Sequence, residues 1–161
     1  MSIIDDIKNI FTKEDKIFYA PIKGEITEIK NCRDLIFSEQ IVGPGALIIA
    51  DEGKVFAPCD GKITMVAHGK HAIGVESKRG IQVLVHVGIG TVELEGKGFN
   101  AFVKSGQEVK KGDLLLEFDL DAIKEAGYSL ESPVVITNPT IKKVKLSEAK
   151  NVEVGDELFS L

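Results

Sequence analysis

Two histidines stand out as residues able to do chemistry together. His86 closes the apolar run Ile81-Gln82-Val83-Leu84-Val85 and is followed by Val87-Gly88-Ile89-Gly90-Thr91. His71 lies fifteen residues upstream, across a segment that reads as a β-hairpin. A neutral imidazole carries one lone-pair nitrogen, and an unperturbed pKa of about 6.5 keeps it mostly neutral at cellular pH. If a backbone carbonyl holds the proton on Nδ1, Nε2 is fixed as a nucleophile. Glycines after His86 would let the backbone come close enough to do this. A neighbouring imidazole can donate a hydrogen bond to anionic oxygens. Such a pair suits phosphoryl transfer, in which positioning and charge stabilisation supply most of the catalysis. The third histidine, His68, reads as an exposed surface residue.

The elements that must bring the pair together are two strands, His71 to Ser77 and Gly80 to Val87, joined around Lys78-Arg79. A two-residue loop would pair Ser77 with Gly80 and set His71 opposite His86, on the face shared by Gln82 and Leu84. Ile81, Val83, Val85 and Val87 would then point into the core. Lys-Arg is a poor type I′ pair, however, and Lys78-Arg79-Gly80 better suits a type I turn with a glycine bulge. That loop shifts the pairing by one residue and puts the histidines on opposite faces, unless a further irregularity restores them. The sequence leaves both registers open.

The rest of the chain reads as scaffold. From Ile17 onward, apolar runs of strand length alternate with Gly, Pro, Asn or Asp turns. Two motifs recur. Ala20-Pro21-Ile22-Lys23-Gly24-Glu25-Ile26 returns as Ala57-Pro58-Cys59-Asp60-Gly61-Lys62-Ile63. Gln107-Glu108-Val109 to Gly112-Asp113-Leu114-Leu115 has a counterpart in Asn151-Val152 to Gly155-Asp156-Glu157-Leu158. The expected fold is all-β: an antiparallel β-sandwich with barrel character, built from two similar halves packed face to face, plus short helical segments. One helix is expected over 120–126, with Asp119 as N-cap and Gly127 as its stop. A second segment, 1–16, carries Ile3, Ile4, Ile7, Ile10 and Phe11 on one helical face behind the capping box Ser2-Ile3-Ile4-Asp5. It divides the chain into an amphipathic N-terminal segment, 1–16, and a β domain, 17–161.

The chain has 161 residues, a formal charge of −5 and a pI of about 5.3. Such a balance excludes electrostatic binding to nucleic acid and gives anionic lipid no charge to hold. Cys32 and Cys59 have no metal-type spacing, which suits a reduced, cytoplasmic protein. No signal peptide and no apolar run of membrane-spanning length are expected. Any attachment to the inner face of a membrane would rest on the isoleucines of 1–16.

The run Gly80-x-x-Val83-Leu84-Val85-His86-Val87-Gly88-Ile89-x-Thr91-Val92 resembles the phosphorylation-site pattern of glucose-type IIA components of the bacterial phosphoenolpyruvate-dependent sugar phosphotransferase system. The similarity continues in Glu93-Leu94-Glu95-Gly96-Lys97-Gly98-Phe99, Ala57-Pro58-x-x-Gly61, His71-Ala72, Glu117-Phe118-Asp119 and Ser132-Pro133-Val134-Val135, and spans roughly 17–161. The resemblance implies a phosphocarrier, a phosphotransferase-system component with no required cofactor. In this reading His86 accepts a phosphoryl group at Nε2 from the phosphohistidine form of HPr. It then passes the group to a cysteine on the IIB domain of a sugar permease. His71 would steady the phosphoryl oxygens, and the carbonyl of Gly88 would orient the acceptor ring. Ile36, Phe37, Ile41, Val42 and Leu84 are candidates for the apolar partner-binding rim. The chain would act as a monomer. Three departures stand out. Gly90 takes a place where relatives often carry Asp. Gly69 takes the place, two before the supporting histidine, where a hydroxyl is common. Ala67, Gly74 and Leu84 replace aromatics.

Other readings use the same residues. As a regulatory module, the chain could bind metabolic proteins and share a zinc ion between His71, His86 and a partner's carboxylate, although two histidines are an incomplete set. A cell-wall zinc peptidase would be expected to show His-x-His, where this chain has His86-Val87-Gly88. A lipoyl or biotin carrier would need a Met-Lys-Met type of turn, which is missing.

Overall fold

The computed structural model describes residues 11–161. The capping box and the isoleucine face of the N-terminal segment fall largely outside them. Among the described residues the strands are β1 (Ile17–Tyr19), β2 (Gly24–Glu28), β3 (Gly45–Ala50), β4 (Lys54–Phe56), β5 (Gly61–Val66), β6 (Ala72–Ser77) and β7 (Gln82–His86). They continue as β8 (Phe99–Ala101), β9 (Glu108–Val109), β10 (Leu114–Phe118), β11 (Glu131–Ile136), β12 (Lys145–Leu146), β13 (Asn151–Val152) and β14 (Glu157–Ser160). Two short helices interrupt them, α1 (Leu35–Ser38) and α2 (Leu120–Glu125). Asp119 caps α2 by accepting from the Ala122 N–H at 3.0 Å, and Gly127 ends the turn at φ +86°.

The strands form one eight-stranded antiparallel sheet, in the order β13-β2-β3-β11-β7-β6-β5-β9, and two three-stranded sheets, β1-β14-β12 and β4-β10-β8. The layers enclose a sandwich core and do not close into a barrel. The repeats found in the sequence take equivalent places. The Ala20 N–H donates to Asp156 and its carbonyl accepts from Gly155; Ala57 bonds Asp113 and Gly112 in the same way. Ile26 donates to Lys150 and Ile63 to Gln107. β13 edges β2 just as β9 edges β5. The antiparallel sandwich of two similar halves is the fold expected, with one addition. The halves are also joined edge to edge, because β11 of one half pairs with β7 of the other along Val134↔Val85, Val135↔Leu84 and Ile136↔Val83. At these paired positions both strands carry apolar residues, so each can be covered on both faces.

Alternation gives the large sheet two buried faces. Ile48, Ile73, Val75, Val83, Val85 and Val134 enter the main core with Phe18, Leu115 and Phe159 from the small sheets. Leu47 and Val135 face the other way and join Ile29, Cys32 and Phe37, with Leu84 and Ile89 packed alongside. This second cluster lies under the segment carrying α1. Of the N-terminal segment, Phe11 is buried in the main core, and Asp15 pairs with Arg79.

Candidate functional site

The hairpin loop has three residues. Ser77 N–H donates to Ile81 at 2.8 Å, Gly80 N–H donates to Ser77 at 2.9 Å, and Gly80 sits at φ +85°. This is the glycine-bulge alternative, and it sets Ala72, not His71, opposite His86. The two imidazoles nevertheless meet, with centroids 5.2 Å apart and planes at 77°, edge to face. The reason is local. His71 stands outside β6, in the bend after Lys70, whose φ is +61°. There the alternation of the strand no longer dictates its direction. Its carbonyl still accepts from Val87 N–H at 2.7 Å, and Ala72 places only a methyl group beside His86.

His86 Nδ1 lies 2.8 Å from the carbonyl of Gly88. A carbonyl only accepts, so Nδ1 carries the proton and Nε2 keeps the lone pair. Gly88 adopts φ +71°, and a Cβ there would meet Ser129 O at 2.7 Å and Thr91 Cγ2 at 2.6 Å. No other residue type lets the loop turn back on the ring so tightly. The loop is anchored on both sides. Gly88 N–H donates to Ser132 Oγ at 3.1 Å, and Thr91 Oγ1 donates to the Val87 carbonyl at 2.6 Å. Burial pushes the His86 pKa below its ordinary value, with His71 acting in the same direction, while the Gly88 bond and the Asp34 carboxylate oppose it. Burial lowers His71 as well. Both rings therefore favour the neutral state that a nitrogen nucleophile requires. His71 Nδ1 is buried with no hydrogen-bond partner among the described residues, and Gly69, which offers no hydroxyl, stands beside it.

The expected rim residues divide. Ile36 and Ile41 are exposed, at 46% and 69%, while Val42 and Leu84 are half-buried. Phe37 is only 3% exposed. It packs against the His86 ring at 5.1 Å and forms a wall of the site, not a free surface, because it anchors α1 to the second cluster. Leu35 and Val92, at 66% and 54%, extend the exposed apolar set and were not singled out from the sequence. Asp34 was also missed; it caps α1 by accepting from Ile36 N–H at 3.1 Å, and an Asp before Leu-Ile-Phe was the available signal. His68 is exposed. His71 and His86 would supply two zinc ligands; among the described residues no group of three or more His, Cys, Asp or Glu is placed to hold a metal. No helix among them is long and apolar enough to cross a membrane.

Residues 16–141 match the family model described as phosphoenolpyruvate-dependent sugar phosphotransferase system, EIIA 1. A solved structure, the glucose permease IIA from Mycoplasma capricolum, superposes with a TM-score of 0.83 at 34% identity, over 89% of this chain and 93% of that one. With a family model spanning most of its length and a sandwich shared with a solved IIA, the chain belongs to the EIIA 1 family of the phosphoenolpyruvate-dependent sugar phosphotransferase system.

Proposed function

We propose that His86 is the phosphoryl acceptor and that the chain relays the group between two protein partners. The observation that carries this reading is the 2.8 Å contact of His86 Nδ1 with Gly88 O, which leaves Nε2 as the free nucleophile. In the acceptance step Nε2 forms a bond to phosphorus as the phosphorus–nitrogen bond of phospho-HPr breaks. The electron pair returns to the donor ring, and the proton stays on His86 Nδ1, donated to the Gly88 carbonyl. In the second step the thiolate of a IIB cysteine takes the phosphoryl group and Nε2 recovers its pair. His71, 5.2 Å away, donates to the equatorial oxygens, whose charge is spread in the transition state.

Ile36, Ile41, Val42 and Leu84 form the dry ground on which both partners dock in turn, and Phe37 supports it from beneath. The apolar collar also keeps water from the phosphohistidine. With no net proton to move, the relay needs no cofactor. A zinc ion shared by His71, His86 and a partner's carboxylate would occupy the same nitrogens, so such binding would compete with phosphorylation.

Incubation with phospho-HPr and mass mapping of the modified peptide tests the assignment. One acid-labile, base-stable phosphoryl group should map to His86 and be lost in His86→Ala. His71→Gln should still be labelled but pass the group on poorly. Labelling of His86→Ala at the parent level would end the proposal.

A further inference from the structure

Glu131 is a carboxylate at the start of β11, only 8% exposed, in a strand otherwise built of buried residues. It is held by three groups. Its Oε1 accepts from the Arg33 backbone N–H at 3.1 Å. Its Oε2 accepts from the Arg33 side-chain Nε and from Ser129 Oγ, the latter at 2.9 Å. The Ser129 hydroxyl in turn accepts from the Glu131 N–H at 3.0 Å. Arg33 stands 98 positions from Glu131 along the chain, and Arg33 and Ser129 belong to different walls of the histidine site.

Arg33 lies between Cys32, buried in the cluster beneath His86, and Asp34, the cap of α1. Through α1 it connects to Phe37, the ring packed on His86. Ser129 leads to the other wall. Its backbone pairs with Ile89, the N–H of Ile89 donating to Ser129 O at 3.1 Å. Ile89 follows Gly88, whose carbonyl holds the Nδ1 proton. Ser132, next to Glu131, fixes the Gly88 N–H. One buried carboxylate therefore joins the element that packs on the acceptor imidazole to the loop that sets its tautomer. A charge-assisted contact of this kind is directional as well as attractive.

We infer that Arg33 and Glu131 are positioning residues for the His86 imidazole, setting its angle and its Nδ1 bond through Phe37 on one side and Gly88 on the other. The inference rests on the reading of His86 as acceptor, but its first test does not. In the resting protein, without any donor, the His86 Nδ1 proton should give a protected resonance by nitrogen-edited NMR. In Arg33→Ala its exchange should quicken about tenfold, and in Arg33→Lys, which keeps a cation within reach of the carboxylate, most of the protection should return. A shift of a fraction of an ångström at a reacting atom costs about tenfold in rate, so acceptance from saturating phospho-HPr should slow by about that factor in Arg33→Ala. Arg33 is well exposed, so this variant should fold; Glu131→Gln, which keeps an acceptor oxygen but no charge, should show a smaller change of the same sign. An unchanged resonance and rate, with only a lower melting temperature, would overturn the inference and leave the pair a plain brace. A slowed rate with an unchanged resonance would also overturn it, because Arg33 would then act on the partner. Failure of the acceptor reading itself is seen separately, as labelling of His86→Ala.

Discussion

Gly69→Ser should stabilise the protein and sharpen the second imidazole. His71 Nδ1 is buried and has no partner among the described residues, a state that costs about 1–3 kcal/mol for a polar atom. A Cβ built on Gly69 lies 3.0 Å from that nitrogen. Gly69 is not among the glycines at positive φ, so its backbone admits a side chain. A hydroxyl about 2.8 Å from an acceptor holds its own Cβ about 3.5 Å away, so the ring must yield by roughly half an ångström. Movement of that size at a bend beyond the strand end should cost less than the bond returns. Serine should then gain about 1 kcal/mol from the hydrogen bond, and about 0.4–1 kcal/mol from reduced freedom of the unfolded chain. Gly69→Ala is the control: it has the same Cβ, the same entropy and no hydroxyl. The difference between the two variants isolates the bond and should be about 1 kcal/mol in urea denaturation, or about 2–4 °C in melting temperature for a domain of this size. With Nδ1 accepting, the His71 proton is confined to Nε2, the tautomer able to donate to a phosphoryl oxygen, and release of the group from His86 should quicken a few-fold. If serine is no more stable than alanine and the His71 ring nitrogens keep their chemical shifts, Nδ1 already has a partner and the reasoning fails.

Three further outcomes follow from the same geometry. Gly88→Ala forces a Cβ to 2.7 Å from Ser129 O at φ +71° and should cost about 2–4 kcal/mol, with loss of the Nδ1 bond and a fall of about a hundredfold in phosphoryl acceptance. Folded-state pKa values of both histidines are depressed from 6.5, so between the folded and unfolded values the unfolded chain binds more protons. Stability should hold above about pH 6.5 and fall as pH drops through the folded values, a slope that His71→Gln, His86→Gln should remove when measured by denaturation at pH 5 and 7.5. Phosphoryl acceptance should likewise persist below the pH at which a solvent-exposed imidazole would be half charged. Ile41→Asp, at an exposed position, should leave the melting temperature within about 1 °C while raising the KM for phospho-HPr about tenfold or more, read from initial labelling rates.

His86 and its glycine loop were legible as a candidate because their features are short-range. His86 ends a strand whose alternation is visible in Val83 and Val85, and the glycines that follow mark a close turn. The repeats were legible for the same reason: Ala-Pro and Gly-Asp punctuate equivalent turns, and their hydrogen bonds match. The meeting of His71 with His86 was not. Both hairpin registers were available, and the one formed would part the rings if His71 belonged to the strand. Left-handed Lys70 and small Ala72 decide the matter, and neither residue type announces it. Phe37 was grouped with the rim through the family resemblance; the cluster that buries it includes Val135, nearly a hundred residues away. Glu131 is the residue that local reasoning could have questioned, a charge within an otherwise apolar strand run, yet its bond to Arg33 depends wholly on the long-range joining of β11 to β3 and β7.

The matching ladders assign each rung of one half a twin in the other. Gly24 and Gly61 share one rung position, Ala50 and Ser77 another, and Glu131 and Gln82 a third. Carried along the strands, the same correspondence makes Val135 the twin of His86 and Pro44 the twin of His71. Where one copy carries imidazole nitrogen, the other carries hydrocarbon, and Val135 belongs to the cluster that holds Phe37, the ring packed on His86. The candidate site thus lies where two similar halves differ: an imidazole in place of Val135 would take hydrocarbon from the cluster that holds Phe37.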